Sequence, residues 1–512
     1  VDNLADCYDA QEAEMVKAKL AAFIAGMSLM VHAQVPPSKT PDATALLKVA
    51  AATLGAENLK SVEFFGNGWD ACLGQAWSVN DGRWARWELR DYNRVIDYET
   101  VSSRHTAQQR AGMDAHALGG CGAAPGQAAR PQQSTVTADS PWVQQLQVWL
   151  TPYGFIRLAN QNKPAAETQA VAGRNFNVVS FAVSRGNQTY RMKGYFNAEN
   201  ILERIETWLD DPVFGDMLVE AEFSGYRNFD GLRFPARILQ KQGGLGIFEL
   251  AIDKVVPNST ASTAPPQAAG PRGGGAGGGG RGAAPAAAPT PPLVEMGPGV
   301  FVLDGAYQAV AVAFNDYSVV IDGMQNEART RAVIEQTKKA IPGKPIRYVV
   351  VTHSHFDHVT GLRDFMAEGA TIITHEMNVK FFERALGAPR TLNASPDAKP
   401  SGKPKLQGVG DRYVLQDGKQ SIELHRIRGH VHADDMLIAY IPSVRTIVES
   451  DLVQPWINPQ FSGGPGPNPY LVHLANELDR LKLNYESFVS IHRPNPPPTV
   501  SRAALMTAIG RN

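Results

Sequence analysis

Three histidines and an aspartate fall within the six residues His353-Ser354-His355-Phe356-Asp357-His358. The stretch follows Tyr348-Val349-Val350-Val351-Thr352, a β-branched run that predicts a strand. Side chains alternate along an extended backbone, so His353 and His355 can point at one ion. Asp357 and His358 come after a turn and can reach a second ion nearby. Imidazole and carboxylate are ligands that zinc accepts, and a catalytic zinc keeps one position for water. Two dications sharing an oxygen ligand lower the pKa of bound water, which makes hydroxide available near neutral pH. The same ions polarise a carbonyl or phosphoryl oxygen and take up the negative charge that develops there. This chemistry requires no serine nucleophile, and the chain lacks a Gly-x-Ser-x-Gly elbow.

Three later stretches carry further candidates. Gly429-His430-Val431-His432 precedes the strand-like Met436-Leu437-Ile438-Ala439-Tyr440-Ile441. Asp451 follows Thr446-Ile447-Val448-Glu449-Ser450, and His492 ends the apolar run Phe488-Val489-Ser490-Ile491. These motifs, in this order, resemble the metallo-β-lactamase superfamily over the C-terminal part of the chain. The resemblance implies an α/β fold, the αβ/βα sandwich, with two Zn2+ ions. It would put His353, His355 and His432 on one zinc and Asp357, His358 and His492 on the other, with Asp451 between them. Asp357 and Asp451 are then the catalytic carboxylates, and the leaving group takes its proton from Asp357 or from a metal-bound water. Manganese and iron suit similar nitrogen and oxygen sites.

One departure concerns Val431, which two histidines flank. In an extended segment both would face the same side. His432 is preferred, because Ala433-Asp434-Asp435 then forms the short lead into the next strand, and His430 stands as the alternative. The resemblance makes Asp322, at the end of the strand Tyr317–Ile321, a support for the metal loops. His375, His425 and His473 are not taken as ligands. His355 speaks against the redox-iron branch of the superfamily, which carries glutamate at that position.

The elements that must position these residues occupy only the later part of the 512-residue chain. Lys and Arg number 49 against 50 Asp and Glu, with no basic block for a phosphate backbone or anionic lipid. A small-molecule substrate is expected, without nucleic acid and without a membrane anchor in the mature chain. Met15-Val16-Lys17-Ala18-Lys19, the apolar stretch Leu20 to Val31 and Val31-His32-Ala33 have the order of a secretory signal peptide over residues 15–33. Residues 1–14 would be an upstream extension, and the product would be periplasmic or secreted. The mature chain keeps Cys72 and Cys121, a pair that can bridge in an oxidising compartment.

An N-terminal α+β domain is expected over residues 40–256, mostly antiparallel. The Gly/Pro/Ala-rich residues 257–292 read as a linker, and the sandwich domain takes residues 293–512. In the first domain, helices are expected at Asp42–Leu54, Trp142–Leu150 and Ala198–Asp210. Strands are expected at Ser61–Phe65, Arg83–Arg90 and Arg94–Thr100. Ala111 to Pro141 reads as a disordered loop. Met217–Ser224, Leu232–Gln240 and Leu245–Ile252 predict a meander with Gly-bearing turns. The segment Asp230-Gly231-Leu232-Arg233-Phe234-Pro235-Ala236-Arg237 resembles the curved sheet of outer-membrane lipoprotein carriers. That would make a groove for an acyl chain, unless Trp149, Phe155, Phe234 and Phe248 fill an ordinary core, the reading preferred here.

The leading expectation is an exported dinuclear zinc hydrolase that attacks an ester, lactone or amide carbonyl, a β-lactam among them. Trp456 and Phe461, in the loop after Asp451, are candidates for an apolar substrate wall. The alternatives are a phosphodiester or sulfate-ester hydrolase, with Arg426, Arg428 and Arg493 over the anionic group, and a ligand-binding carrier whose metal domain is structural.

Overall fold

Alternation of apolar and polar residues makes strands of most of the first half of the chain. Along Gly215–Ser224, Met217, Val219, Ala221 and Phe223 turn inward while their neighbours stay half-buried. The computed structural model describes residues 41–111, 129–265, 292–305, 307–392, 402–453, 469–492 and 499–511. Among these, eleven strands form the N-terminal sheet. It runs from Arg130–Val136 at one edge through Ser102–Ala111, Arg86–Asp97, Ser61–Ala71, Leu245–Pro257 and Arg237–Gln242. It continues through Gly215–Ser224, Leu202–Asp211, Gln188–Phe196 and Arg174–Arg185 to Ala165–Val171. Every neighbouring pair is antiparallel.

Three helices pack on this sheet. Ala43–Leu54 starts where the Asp42 carboxylate accepts the Thr44 N–H at 2.9 Å, and ends at Gly55 with φ of 68°. Pro152 does more than stop Trp142–Trp149. With Thr151 as cap it begins a second helix, Pro152–Asn160, because proline's fixed φ suits the first helical turn. Leu146, Trp149, Phe155 and Leu158 share a core with Phe181, Phe196 and Phe234, and Phe248 lies half-buried against it.

Four sequence expectations change here. Ala198–Asp210 is not a helix: Leu202–Asp211 is a strand, since Ile205-Glu206-Thr207-Trp208-Leu209 alternates and pairs on both sides. The composition-biased patch Ala111 to Pro141 contains the edge strand Arg130–Val136, which Thr- and Gln-rich residues can form when a neighbour supplies the ladder. Arg83–Arg90 and Arg94–Thr100 belong to one strand, Arg86–Asp97, carried past an irregularity at Asp91 with φ of 50°. Leu232–Gln240 splits around Pro235 into Leu232–Phe234 and Arg237–Gln242, because proline cannot donate to the ladder. The outer strands of the expected meander still flank Arg237–Gln242.

The C-terminal part is an αβ/βα sandwich. Leu293–Gly297, Val300–Leu303, Ala309–Ala313, Ser318–Ile321, Ile346–Val350, Thr371–His375 and Leu406–Val409 form one sheet in that order. Arg412–Asp417, Gln420–Arg426, Leu437–Ile441, Thr446–Glu449, Ser487–Ser490 and Val500–Ser501 form the other. Val310, Val312, Ile321, Ile422, Leu424, Val448 and Val489 meet in one core that includes strands of both sheets. Helices Pro469–Leu481 and Arg502–Ala508 cover the outside of the second sheet through Leu471, Leu474, Leu478 and Leu505. Glu327–Ala340, Leu362–Ala367 and Val379–Gly387 lie on the first sheet. Among the described residues no helix is long and apolar enough to cross a membrane. Residues 1–40, including the signal-like stretch, and most of the expected linker lie outside the described residues.

The N-terminal sheet and the sandwich share apolar packing. Trp84 meets Phe356 with ring centroids 5.5 Å apart, and Phe214 meets the same ring at 5.5 Å. Arg390 joins Asp210 and Glu327, each at 2.6 Å, and Arg363 donates to the Pro212 carbonyl at 3.0 Å. Gly74 sits at this junction with φ of 83°, and a Cβ there would lie 2.1 Å from Phe356 Cγ. Gly74→Ala therefore forces both a disfavoured backbone and an overlap. It is expected to lower unfolding free energy by at least about 2 kcal/mol, read from the denaturant midpoint at constant m.

Candidate metal centre

Strand ends of both sheets deliver the candidate ligands. Ile346–Val350 leads into His353, and the single 3-10 turn Phe356–His358 brings Asp357 and His358 round to the same region. Thr446–Glu449 leads to Asp451, which holds φ of 62°, a left-handed conformation that aspartate tolerates better than most residues. Ser487–Ser490 leads to His492. His432 comes from the connection before Leu437–Ile441.

These side chains meet. Ligand atoms of His353, His355 and His432 all lie within 4.8 Å of one another, as do those of His353, His358 and Asp451, and those of Asp357, His358 and His492. His353 Nε2 lies 3.1 Å from His432 Nε2, and His358 Nε2 lies 2.9 Å from His492 Nε2. Asp451 Oδ2 stands at the middle: 3.0 Å from His358, 3.1 Å from His492, 3.6 Å from His353 and 3.7 Å from His432, each measured to Nε2. The structure thus brings together all seven residues that the motifs pointed to, with His432 rather than His430 in the cluster. His430 turns instead toward His473 and Tyr470, ring centroids 5.4 and 6.1 Å away.

The donor set fits cations. Burial, with His432 beside it, lowers the His355 pKa to about 3, and burial next to His358 holds His353 well below the usual histidine range. Both are neutral imidazoles at pH 7, the form that coordinates metal. Burial opposes charge on His358 and His492, yet carboxylates outweigh it: Asp322 and Asp357 raise the first far, and Asp451 raises the second. Burial likewise opposes charge on Asp357 and Asp451, and His358 and His492 respectively keep each carboxyl well below its ordinary value. Ionised oxygens packed among facing imidazole nitrogens are a place that positive charge stabilises.

Surrounding residues orient the cluster. Asp322 is fully buried, with φ of 55°, and lies 3.0 Å from His358 Nδ1 while accepting from Thr352 Oγ1. Four contributors were not legible in the sequence. Tyr307 donates to Asp357 Oδ2 at 2.8 Å and sets its ring edge against His492, centroids 4.2 Å apart. Asp435 accepts the Ser354 N–H at 2.8 Å, which ties the first motif to the connection that holds His432. From the N-terminal domain, Gln75 Nε2 donates to Asp357 Oδ1 at 2.9 Å, and the Ala76 carbonyl lies 2.9 Å from His355 Nε2. Nothing in the run Gly74-Gln75-Ala76-Trp77 is chemically distinctive, so no sequence signal could have found it.

His375 Nδ1 accepts the Met377 N–H at 3.3 Å, and His425 pairs with Glu423 at 3.3 Å. Trp456, Phe461 and Arg493 lie outside the described residues. Arg426 pairs with Asp434 at 2.7 Å, and Arg428 pairs with Asp411.

A two-sheet sandwich with helices outside thus carries a cluster of histidines and aspartates that could hold metal at its strand ends. Residues 304–486 match the family model described as the metallo-beta-lactamase superfamily. Solved structures similar to the chain include a metallo-beta-lactamase from Pontibacter korlensis, at 16% identity over 43% of this chain and 97% of that one, TM-score 0.33. A stereoselective inverting sec-alkylsulfatase from Pseudomonas sp. is similar at 15% identity, over 43% of this chain and 40% of that one, TM-score 0.31. Rubredoxin oxygen:oxidoreductase from Desulfovibrio gigas is similar at 14% identity, over 43% and 60%, TM-score 0.33. These likenesses say nothing about the reaction. No curated protein matches the chain.

Proposed function

We propose that the protein is an exported dinuclear zinc hydrolase acting on a carbonyl ester, lactone or amide. The observation that carries this reading is the single carboxylate oxygen of Asp451 held 3.0–3.7 Å from four imidazole nitrogens. His353, His355 and His432 would hold one ion, Asp357, His358 and His492 the other, and Asp451 would lie between them. When bound, such ions acidify water and draw charge from a carbonyl oxygen. The chain's own groups do the rest. Asp357 is held at both oxygens, by Gln75 and Tyr307, which orients its carboxylate in the site. Asp322 fixes the His358 ring.

Among the described residues, Arg426 and Arg428 are each paired with an aspartate, which supports a neutral carbonyl substrate over a phosphodiester or sulfate ester. Export is supported by the signal-like order of residues 15–33 and by Cys72, which is disulfide-bonded, a state that persists in oxidising compartments. Zinc-loaded protein is expected to hydrolyse members of a chromogenic ester, lactone and cephalosporin panel, and to lose that activity with a chelator. Turnover of aryl sulfates or phosphodiesters alone would favour the anionic-ester reading. Failure on every substrate would leave the carrier reading.

A further inference from the structure

The N-terminal sheet delivers one short segment to the metal centre. The strand Ser61–Ala71 ends, and Cys72 to Asp81 crosses to the sandwich before the chain returns as Arg86–Asp97. Five contacts follow within four residues. The Gly74 carbonyl accepts the Phe356 N–H at 3.1 Å, inside the histidine motif itself. Gln75 Nε2 donates to Asp357 Oδ1 at 2.9 Å. Ala76 O and His355 Nε2 are 2.9 Å apart. Trp77 Nε1 donates to the His430 carbonyl at 3.0 Å, and its own carbonyl accepts the Asp434 N–H at 2.8 Å. The segment thereby touches both the first histidine motif and the connection that carries His432.

A carbonyl oxygen can only accept, so the Ala76 contact makes Nε2 the protonated nitrogen of His355. Its lone pair is then on Nδ1, which selects the tautomer and fixes the ring. The Gln75 amide can only donate to a carboxylate, and Tyr307 occupies the other oxygen of Asp357. Gln75 is 9% exposed, so water does not readily replace it. Gly74, whose conformation admits no Cβ beside Phe356, lets the backbone come this close.

From these contacts we infer that the segment Gly74–Trp77 is a built-in part of the metal centre, with Gln75 as a positioning residue for Asp357. The N-terminal domain then takes part in the site by orienting Asp357 and His355 rather than by supplying a ligand. This inference rests on the dinuclear reading given above.

The test is a metal titration of the full-length apoprotein, wild type against Gln75→Leu, with zinc competed by a chromophoric chelator and cobalt followed by its visible spectrum. Leucine keeps the volume and removes the donor. Wild type is expected to take up two equivalents. In Gln75→Leu the step assigned to Asp357, His358 and His492 should weaken about 10- to 100-fold, the usual cost of losing such a support. The other step should hold, the cobalt spectrum should change, and the melting temperature should stay near wild type. Unchanged affinity at both steps in Gln75→Leu overturns the inference alone. Equal weakening of both steps with a lowered melting temperature also overturns it, since the segment would then be only a clasp between domains. A wild-type protein that binds no metal overturns the functional reading and this inference together.

Discussion

Asp451→Asn is expected to remove turnover and one or both metal equivalents while leaving the fold intact. The side chain keeps its shape, and asparagine tolerates the left-handed backbone of φ 62° as aspartate does. What is lost is the negative charge at the oxygen that four imidazoles surround at 3.0–3.7 Å. A fall in kcat/KM of a thousandfold or more is expected, on the order of 4 kcal/mol in transition-state stabilisation. Metal content by elemental analysis and kcat/KM on the best panel substrate check this together. An Asp451→Asn protein with full metal and wild-type turnover contradicts the role given to Asp451.

The second large effect separates two histidines that the sequence leaves equivalent. His432→Ala should lose the metal equivalent shared with His353 and His355, whose rings lie with centroids 4.9 and 4.5 Å from that of His432. His430→Ala should keep both equivalents. His430 is buried beside His473, with its pKa lowered to about 3 by burial first and by His432 and His473 next. Its loss should appear as lower stability, in the range of about 0.5–3 kcal/mol for a truncated buried side chain. Elemental analysis of the two variants decides between them, and the reverse result would make His430 the ligand.

Much of the site could be read from residue types alone, because the chemistry imposes its own spacing. His353, His355, Asp357 and His358 sit within one turn after a strand, and that local geometry hardly depends on the rest of the fold. Asp451 and His492 were legible through the resemblance, which expects further ligands in loops after strands, and each follows an apolar β-branched run. The helix Ala43–Leu54 could be read from the spacing of Ala43, Leu46, Leu47 and Ala50 on one face. Leu202–Asp211 could not. Its apolar positions suit a helical face as well as an alternating strand, and pairing with Gln188–Phe196 and Gly215–Ser224 decides the matter. Gln75 was illegible for a stronger reason: it acts on Asp357 from 282 positions away, across a domain junction, through an amide that any surface glutamine carries. Long-range contacts of ordinary residues leave no local pattern.

The central claim is that the loops carrying His353, His432, Asp451 and His492 close around two cations. Anomalous diffraction at the zinc edge from crystals of metal-loaded protein tests it most directly. Two peaks should appear about 3.5–4 Å apart, one among His353, His355 and His432 and one among Asp357, His358 and His492, with Asp451 touching both. A single peak elsewhere in the chain, or none among these side chains in protein shown to carry zinc, would contradict it.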